Sequence, residues 1–176
     1  MRTSPAPMKH AWKFALAALL FALGLAACDS GAPAVHLNIG QPAPGFQTFA
    51  VDGAPVHFPA AFLGKPLVIR FWADWCRYCE GEMTAIESVY QRHRGQGLEV
   101  LAINSGQDKP AVTAFMKKIG VSYPALLDEQ SKIARSFGVV GLPTTYFVDA
   151  RGIVRGKLVG EADEATFERH ALELLK

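Results

Sequence analysis

Apolar positions along the chain change period several times, and each change marks an element. Residues 67–72 (LVIRFW) form a compact apolar run of strand length, suited to burial on both faces of a sheet and broken only by Arg70. From Cys76 to about Arg94 the apolar residues Met83, Ile86, Val89 and Tyr90 recur at helical spacing without a proline, which predicts a long amphipathic helix. Residues 98–104 read as a strand. Residues 110–119 read as a helix with Pro110 in its first turn and Gly120 at its end, and 123–127 as a short extended piece. A short helix is expected over 131–137, ended by Gly138. Strands at 144–148 and 153–159 flank the turn Asp149-Ala150-Arg151-Gly152, and an amphipathic helix over 162–175 closes the chain. Ahead of all these, two β-prone runs around Val51-Asp52-Gly53-Ala54 predict a hairpin.

The resulting order is hairpin, β, α, β, α, then β, β, α. A parallel crossover in the first half and an antiparallel pair in the second predict an α/β domain with a mixed central sheet flanked by helices. The 176 residues are half hydrophobic, with ordinary Gly, Pro and charge contents, which suits one globular domain, expected over residues 45–176. The formal net charge of +2 includes Arg2, Lys9 and Lys13, which lie in a stretch without acids; without them it is −1. A near-neutral chain with no basic cluster gives no reason to expect a nucleic-acid surface.

Residues 1–27 join that positive start to FALAALLFALGLAA, 14 uncharged residues, too short a run to span a bilayer comfortably. The pattern predicts an export signal, and Leu25-Ala26-Ala27-Cys28 resembles a bacterial lipobox. In that resemblance Cys28 becomes the first mature residue and carries lipid, attaching the protein to a membrane. Asp29 resembles an inner-membrane retention signal, which implies a periplasm-facing lipoprotein. The competing reading is a short anchor helix with an incidental cysteine. Residues 28–44, rich in Pro, Gly and Ala, are expected to be the lipidated N-terminus and tether.

With Cys28 set aside, Cys76 and Cys79 are the remaining thiols. A bridge closing so short a loop restricts the unfolded chain little, so a structural staple explains the pair poorly. Zinc needs four ligands, and His36, His57, His93 and His170 are scattered without ligand spacing. Covalent haem attachment needs a histidine after the second cysteine, where Glu80 stands. No cofactor or resident metal is therefore expected. Dithiol exchange suits the pair better. Cys76, directly after a strand and its loop, falls at the N-terminus of the predicted helix, where the dipole and unpaired N–H groups favour thiolate, and Arg77 adds positive charge. Cys79, one turn on, is placed to close on Cys76 as a redox-active disulfide. The same two thiols also suit Cu(I), so a copper metallochaperone stays open as an alternative.

The segment FWADWCRYC is similar to the active-site segment of the thioredoxin superfamily, and Gly141-Leu142-Pro143-Thr144-Thr145 resembles its cis-proline loop. With the lipobox, the N-terminal hairpin and Glu82-Met83 after the CxxC, the chain resembles the TlpA/ResA group of membrane-anchored thiol-disulfide oxidoreductases over roughly residues 38–175. The resemblance implies a thioredoxin-like fold in which Cys76, Cys79, Glu82 and Pro143 carry the chemistry, Glu82 lying close to the thiols. A cis Leu142–Pro143 bond would bring the Leu142 backbone beside Cys76 to pair with an extended substrate, and Trp75, Arg77 and Tyr78 would complete the substrate surface. It also implies exported disulfide-containing clients, including cytochrome c or copper-centre apoproteins, and a membrane thiol reductase as electron donor. An oxidising or isomerising exchange protein is the alternative direction. GQPAPGF (residues 40–46) resembles peroxiredoxins as well, but the Pro and Thr before their peroxidatic cysteine are absent from WADWC, which discounts peroxidase activity. Tyr78 stands where many members of the group have Pro, and Arg70 where thioredoxin has a buried acid.

Arg70 interrupts a buried strand, and a buried guanidinium needs an anion. Glu82, on the helix that follows, is the expected partner; the other reading lets Arg70 reach the sheet edge and snorkel to water.

Overall fold

In the computed structural model, which describes residues 37–176, the elements are β1 (Phe46–Phe49), β2 (Pro55–Phe58), β3 (Leu67–Trp72), α1 (Cys79–His93), β4 (Glu99–Ser105), α2 (Lys109–Ile119), β5 (Ala125–Asp128), α3 (Lys132–Ser136), β6 (Thr144–Val148), β7 (Val154–Val159) and α4 (Glu164–Leu174). The order is the expected one. Short 3-10 turns at Ala60–Phe62 and Arg94–Gln96 are additions that no sequence period announced. The export signal, Cys28, Asp29 and the first part of the tether lie outside the described residues.

β1 and β2 form a separate antiparallel hairpin, and the remaining strands make one mixed sheet in the order β5-β4-β3-β6-β7. β3 lies in its middle, parallel to β4 and antiparallel to β6, which is why all six of its residues are buried. Successive side chains of a strand point to opposite faces, and β3 sorts its residues accordingly. Leu67, Ile69 and Phe71 face a cluster with Phe46 and Phe58 of the hairpin and Ile133 and Phe137 around α3. Val68 and Trp72 face the other cluster, with Met83, Ile86 and Val89 of α1, Phe115 of α2, and Phe167 and Ala171 of α4. Each such fully buried side chain stabilises the fold by about 1.5–3 kcal/mol. Arg70 shares the parity of Val68 and Trp72 and so falls on the α1 side.

The ends of the helices follow their cap residues. Asp108 caps α2 through the Ala111 N–H at 3.1 Å, and Gly120 ends it in a left-handed conformation at φ 66°. Asp163 caps α4 through the Thr166 N–H at 2.8 Å. The last residues of the expected tether pack on the domain: Leu37 and Ala43 are buried, and the Gly40 and Ala43 N–H groups donate to the carbonyls of Val154 and Gly152. Their Pro- and Gly-rich composition conceals this, because backbone hydrogen bonds hold them.

Candidate active site

The chain leaves β3 through a tight turn in which the Cys76 N–H donates to Ala73 O at 3.2 Å and the Cys79 N–H to Cys76 O at 3.1 Å. The first helical residue is Cys79, so Cys76 stands one short turn ahead of α1, whereas the spacing had predicted a helix beginning at Cys76. The i to i+3 bond of that turn takes the place of the first helical one. Cys76 still lies at the positive end of the helix. The two cysteines are disulfide-bonded, with Cα atoms 5.4 Å apart, an ordinary separation for such a bond. Their environments differ: Cys76 is 6% exposed and Cys79 0%.

Around this pair the surface is apolar and open. Trp75 is 70% and Tyr78 45% exposed, and the Arg77 guanidinium lies over the Tyr78 ring at 5.7 Å from its centroid. Register brings in the proline loop. Phe71 pairs with Thr144 and Arg70 with Thr145 in the antiparallel ladder, so Pro143, one residue before Thr144, falls level with Trp72. The Leu142–Pro143 bond is cis, and Leu142 packs against the cluster that contains both cysteines. The loop is fixed by Thr144 Oγ1 donating to Gly141 O at 2.7 Å and by the Gly160 N–H donating to Pro143 O at 2.9 Å. On the other side, Gln107 Oε1 accepts from the Asp74 N–H at 2.8 Å and from Asn104 Nδ2 at 2.9 Å, tying the WADW loop to the end of β4. Gln107 carried no sequence signal. Asn104, a polar residue closing an apolar strand, was a visible one.

Beneath the turn lies the buried ion pair. Arg70 is 2% and Glu82 7% exposed; Arg70 Nη2 donates to Glu82 Oε2, and Arg70 Nη1 donates to Thr145 Oγ1 at 2.8 Å. Glu82 Oε1 accepts from the Ala162 N–H just before α4. The snorkelling alternative for Arg70 is thereby excluded, since its side chain is enclosed by β6, α1 and the entry to α4. Burial pulls the Arg70 pKa below its ordinary value, opposed by the attraction and hydrogen bond of Glu82. Arginine starts so high that the group stays a cation. Both Glu82 oxygens are taken by donors, so Glu82 acts here as an anchor for three elements.

The expected site residues are thus gathered at one end of β3: Trp75, Arg77 and Tyr78 exposed, Leu142 half-buried, Cys76 and Pro143 just under the surface, and Cys79 and Glu82 enclosed below. Among the described residues no group of three or more His, Cys, Asp or Glu is placed to hold a metal ion. His93 binds Glu168 at 2.8 Å and His170 stacks on Phe147 at 4.9 Å, both ordinary packing roles.

Residues 39–157 match the AhpC/TSA family, a span that includes both cysteines and Pro143. The thiol-disulfide oxidoreductase ResA of Geobacillus kaustophilus is 33% identical over 138 residues, 78% of each protein. Two solved structures from Chlorobium tepidum share the fold. One, assigned as the thiol:disulfide interchange protein DsbE, is 25% identical with a TM-score of 0.75 over 80% of this chain and 99% of that one. The other, a thiol:disulfide interchange protein of the thioredoxin family, is 30% identical with a TM-score of 0.70 over 81% of this chain and all of that one. A thioredoxin-like sheet carrying a Cys76–Cys79 disulfide beside a cis-proline, with this degree of identity, places the chain in the AhpC/TSA family and, within it, among the ResA-like thiol-disulfide oxidoreductases.

Proposed function

We propose that the chain works as an exported, lipid-anchored reductase of disulfides in client proteins. The observation that carries this reading is the unequal burial of a bonded cysteine pair at the end of the central strand, with Cys76 the more exposed and Cys79 fully enclosed. In the reduced protein the Cys76 thiolate attacks one sulfur of a client disulfide. A mixed disulfide forms and one client thiolate leaves, taking up the proton that Cys79 gives up. Cys79, deprotonated, then attacks Cys76 Sγ and releases the second client thiolate, which takes up a proton. The client gains two electrons and two protons, and the protein is left with the Cys76–Cys79 disulfide seen here. A membrane thiol reductase returns it to the dithiol. The Leu142 backbone beside Pro143 pairs with the client segment, and Trp75, Arg77 and Tyr78 form its bed.

The anchor rests on the sequence: a basic start, an apolar run and Leu25-Ala26-Ala27 before Cys28, with Asp29 favouring the inner membrane and a periplasmic orientation. Exported proteins holding disulfides, cytochrome c and copper-centre apoproteins among them, are the clients the family resemblance favours. The midpoint potential tests the direction. A value near ~−270 mV with turnover of insulin disulfides supports the reductase, whereas ~−120 mV would make the protein an oxidant. Tight Cu(I) binding by the reduced domain with no disulfide turnover would favour the metallochaperone instead.

A further inference from the structure

Between the active-site loop and the proline loop runs a groove of about 410 Å³, walled by Trp75, the residue before Cys76, and by Val140 and Leu142. Val140 is 87% exposed and Trp75 70%, so two large apolar surfaces meet solvent on either side of it. Its far wall comes from α3, and Arg135 is the one charged residue among those that line it. Three observations bear on what Arg135 can bind. Among the described residues no carboxylate lies within salt-bridge distance of it, as is also true of Arg77 and several lysines, but Arg135 is the one such cation that lines this groove. Its only side-chain hydrogen bond, from Nη1 to Gln130 O at 2.7 Å, leaves Nη2 and Nε without a partner. The turn that carries it is rigid: the buried Asp128 carboxylate accepts from the N–H groups of Ile133 at 3.2 Å and Ala134 at 2.9 Å, holding α3 against the end of β5. A guanidinium held at one edge, with free donors and no carboxylate within salt-bridge distance, in a groove walled by the residue before Cys76 and the residue before Pro143, is preorganised for a carboxylate.

We propose that Arg135 is a specificity-determining residue for the client. The segment flanking the client cysteine lies extended in the groove, an apolar side chain rests against Val140 and Leu142, and an Asp or Glu a few residues from the cysteine pairs with Arg135. This rests on the thiol-disulfide exchange reading and adds to it a client chemistry, an acidic and apolar segment next to the cysteine.

The test uses two disulfide-linked peptides that differ only in Glu or Lys near the cysteine, together with the neutral bis(hydroxyethyl) disulfide. The readout is the ratio of kcat/KM for the Glu peptide over the Lys peptide, which cancels any general loss of activity. The wild type should favour the Glu peptide by roughly fivefold to tenfold, the size of one partly exposed pair gained and one repulsion avoided. Arg135→Gln should bring the ratio near one, Arg135→Glu should invert it, and added salt should compress it in the wild type. An unchanged ratio in Arg135→Glu overturns the assignment. Failure of the wild type to exchange with the neutral disulfide overturns the parent reading, and the specificity proposal with it, so the two failures are told apart.

Discussion

Arg70, in the middle of the most deeply buried strand, is paired with Glu82 on the first helix, and the pair also holds Thr145 of β6 and the backbone of Ala162. One cation thus joins the strand that delivers the cysteines, the helix that carries Cys79 and the strand that follows Pro143. A buried pair of this kind adds little net stability over a hydrophobic replacement, but breaking it leaves an uncompensated charge.

Replacing Glu82 alone should therefore be costly. Glu82→Gln keeps an oxygen for the Ala162 N–H and removes the counter-charge of Arg70, with an expected loss of about 3–5 kcal/mol in urea unfolding. The double variant Arg70→Met/Glu82→Leu should recover most of that loss. Equal destabilisation of the single and double variants would mean that the charges are not coupled. In the folded fraction, Glu82→Gln should also shift the cysteine titrations and slow exchange, because Arg70 is then a bare cation below the thiols. Identical thiol titrations would confine Glu82 to a structural role.

The unequal exposure of the cysteines predicts an order of attack. Cys79→Ala should accumulate mixed disulfides on Cys76, while Cys76→Ala should trap almost none. Peptide mapping after brief alkylation of the reduced wild type should find Cys76 labelled first at mildly acidic pH, since Cys79 is fully enclosed. Labelling of Cys79 first would reverse the roles.

These features differ in how far the sequence announced them. β3 was legible to the residue because a compact, β-branched and aromatic run of strand length suits burial on both faces of a sheet, and Arg70 advertised an anion because a guanidinium buried in such a run is costly without one. The position of Glu82 on the following helix, with the resemblance that puts it near the thiols, made it the expected anion, while snorkelling to the sheet edge stayed open as the alternative. Its other partners, Thr145 and Ala162, lie 75 and 80 residues away from the groups they bind, and only the tertiary register brings them there. The start of α1 was misplaced by three residues because the turn at Cys76 satisfies its backbone locally, in a way no side-chain period records. Residues 37–44 looked like linker by composition, yet their backbone bonds to the β6–β7 turn are independent of side-chain type. The cis Phe58–Pro59 bond carried no signal, and Arg135 was one exposed cation among many until the groove beside it was formed.

The proposed membrane attachment through Cys28 predicts a separation of location from activity. Cys28→Ala should leave the protein soluble after cell fractionation, provided the leader is still removed, while exchange by the purified domain stays as in the wild type. Metabolic labelling with a fatty acid should mark the wild type and not the variant. Membrane retention of a cleaved Cys28→Ala protein would remove lipid as the anchor.

The last prediction concerns the turn opposite the active site, where Asp149 collects four donors. Its Oδ1 accepts from the N–H groups of Arg151 at 2.9 Å and Ile153 at 3.0 Å, and its Oδ2 from Arg155 Nε at 2.7 Å and Arg151 Nη2 at 3.3 Å. Partial burial would raise the carboxyl pKa, but the Ile153 N–H, the Arg155 guanidinium and the Arg151 N–H outweigh it and hold the group at about 2, against an ordinary 3.8. The folded state therefore binds this proton less tightly than the unfolded chain. Its contribution to stability is complete above the ordinary carboxylate pKa and is lost as pH falls through the folded value. The shift would correspond to about 2 kcal/mol if unscreened. Because Arg155 and Arg151 are 42% and 75% exposed, roughly 1 kcal/mol is expected, or about 2–5 °C in Tm for a domain of this size. Melting curves of the wild type and Asp149→Asn should be separated by that amount near neutral pH and should converge as the pH falls from about 4 to about 2. A gap that stays constant over this range would show that Asp149 stabilises the turn through its shape and not through its charge.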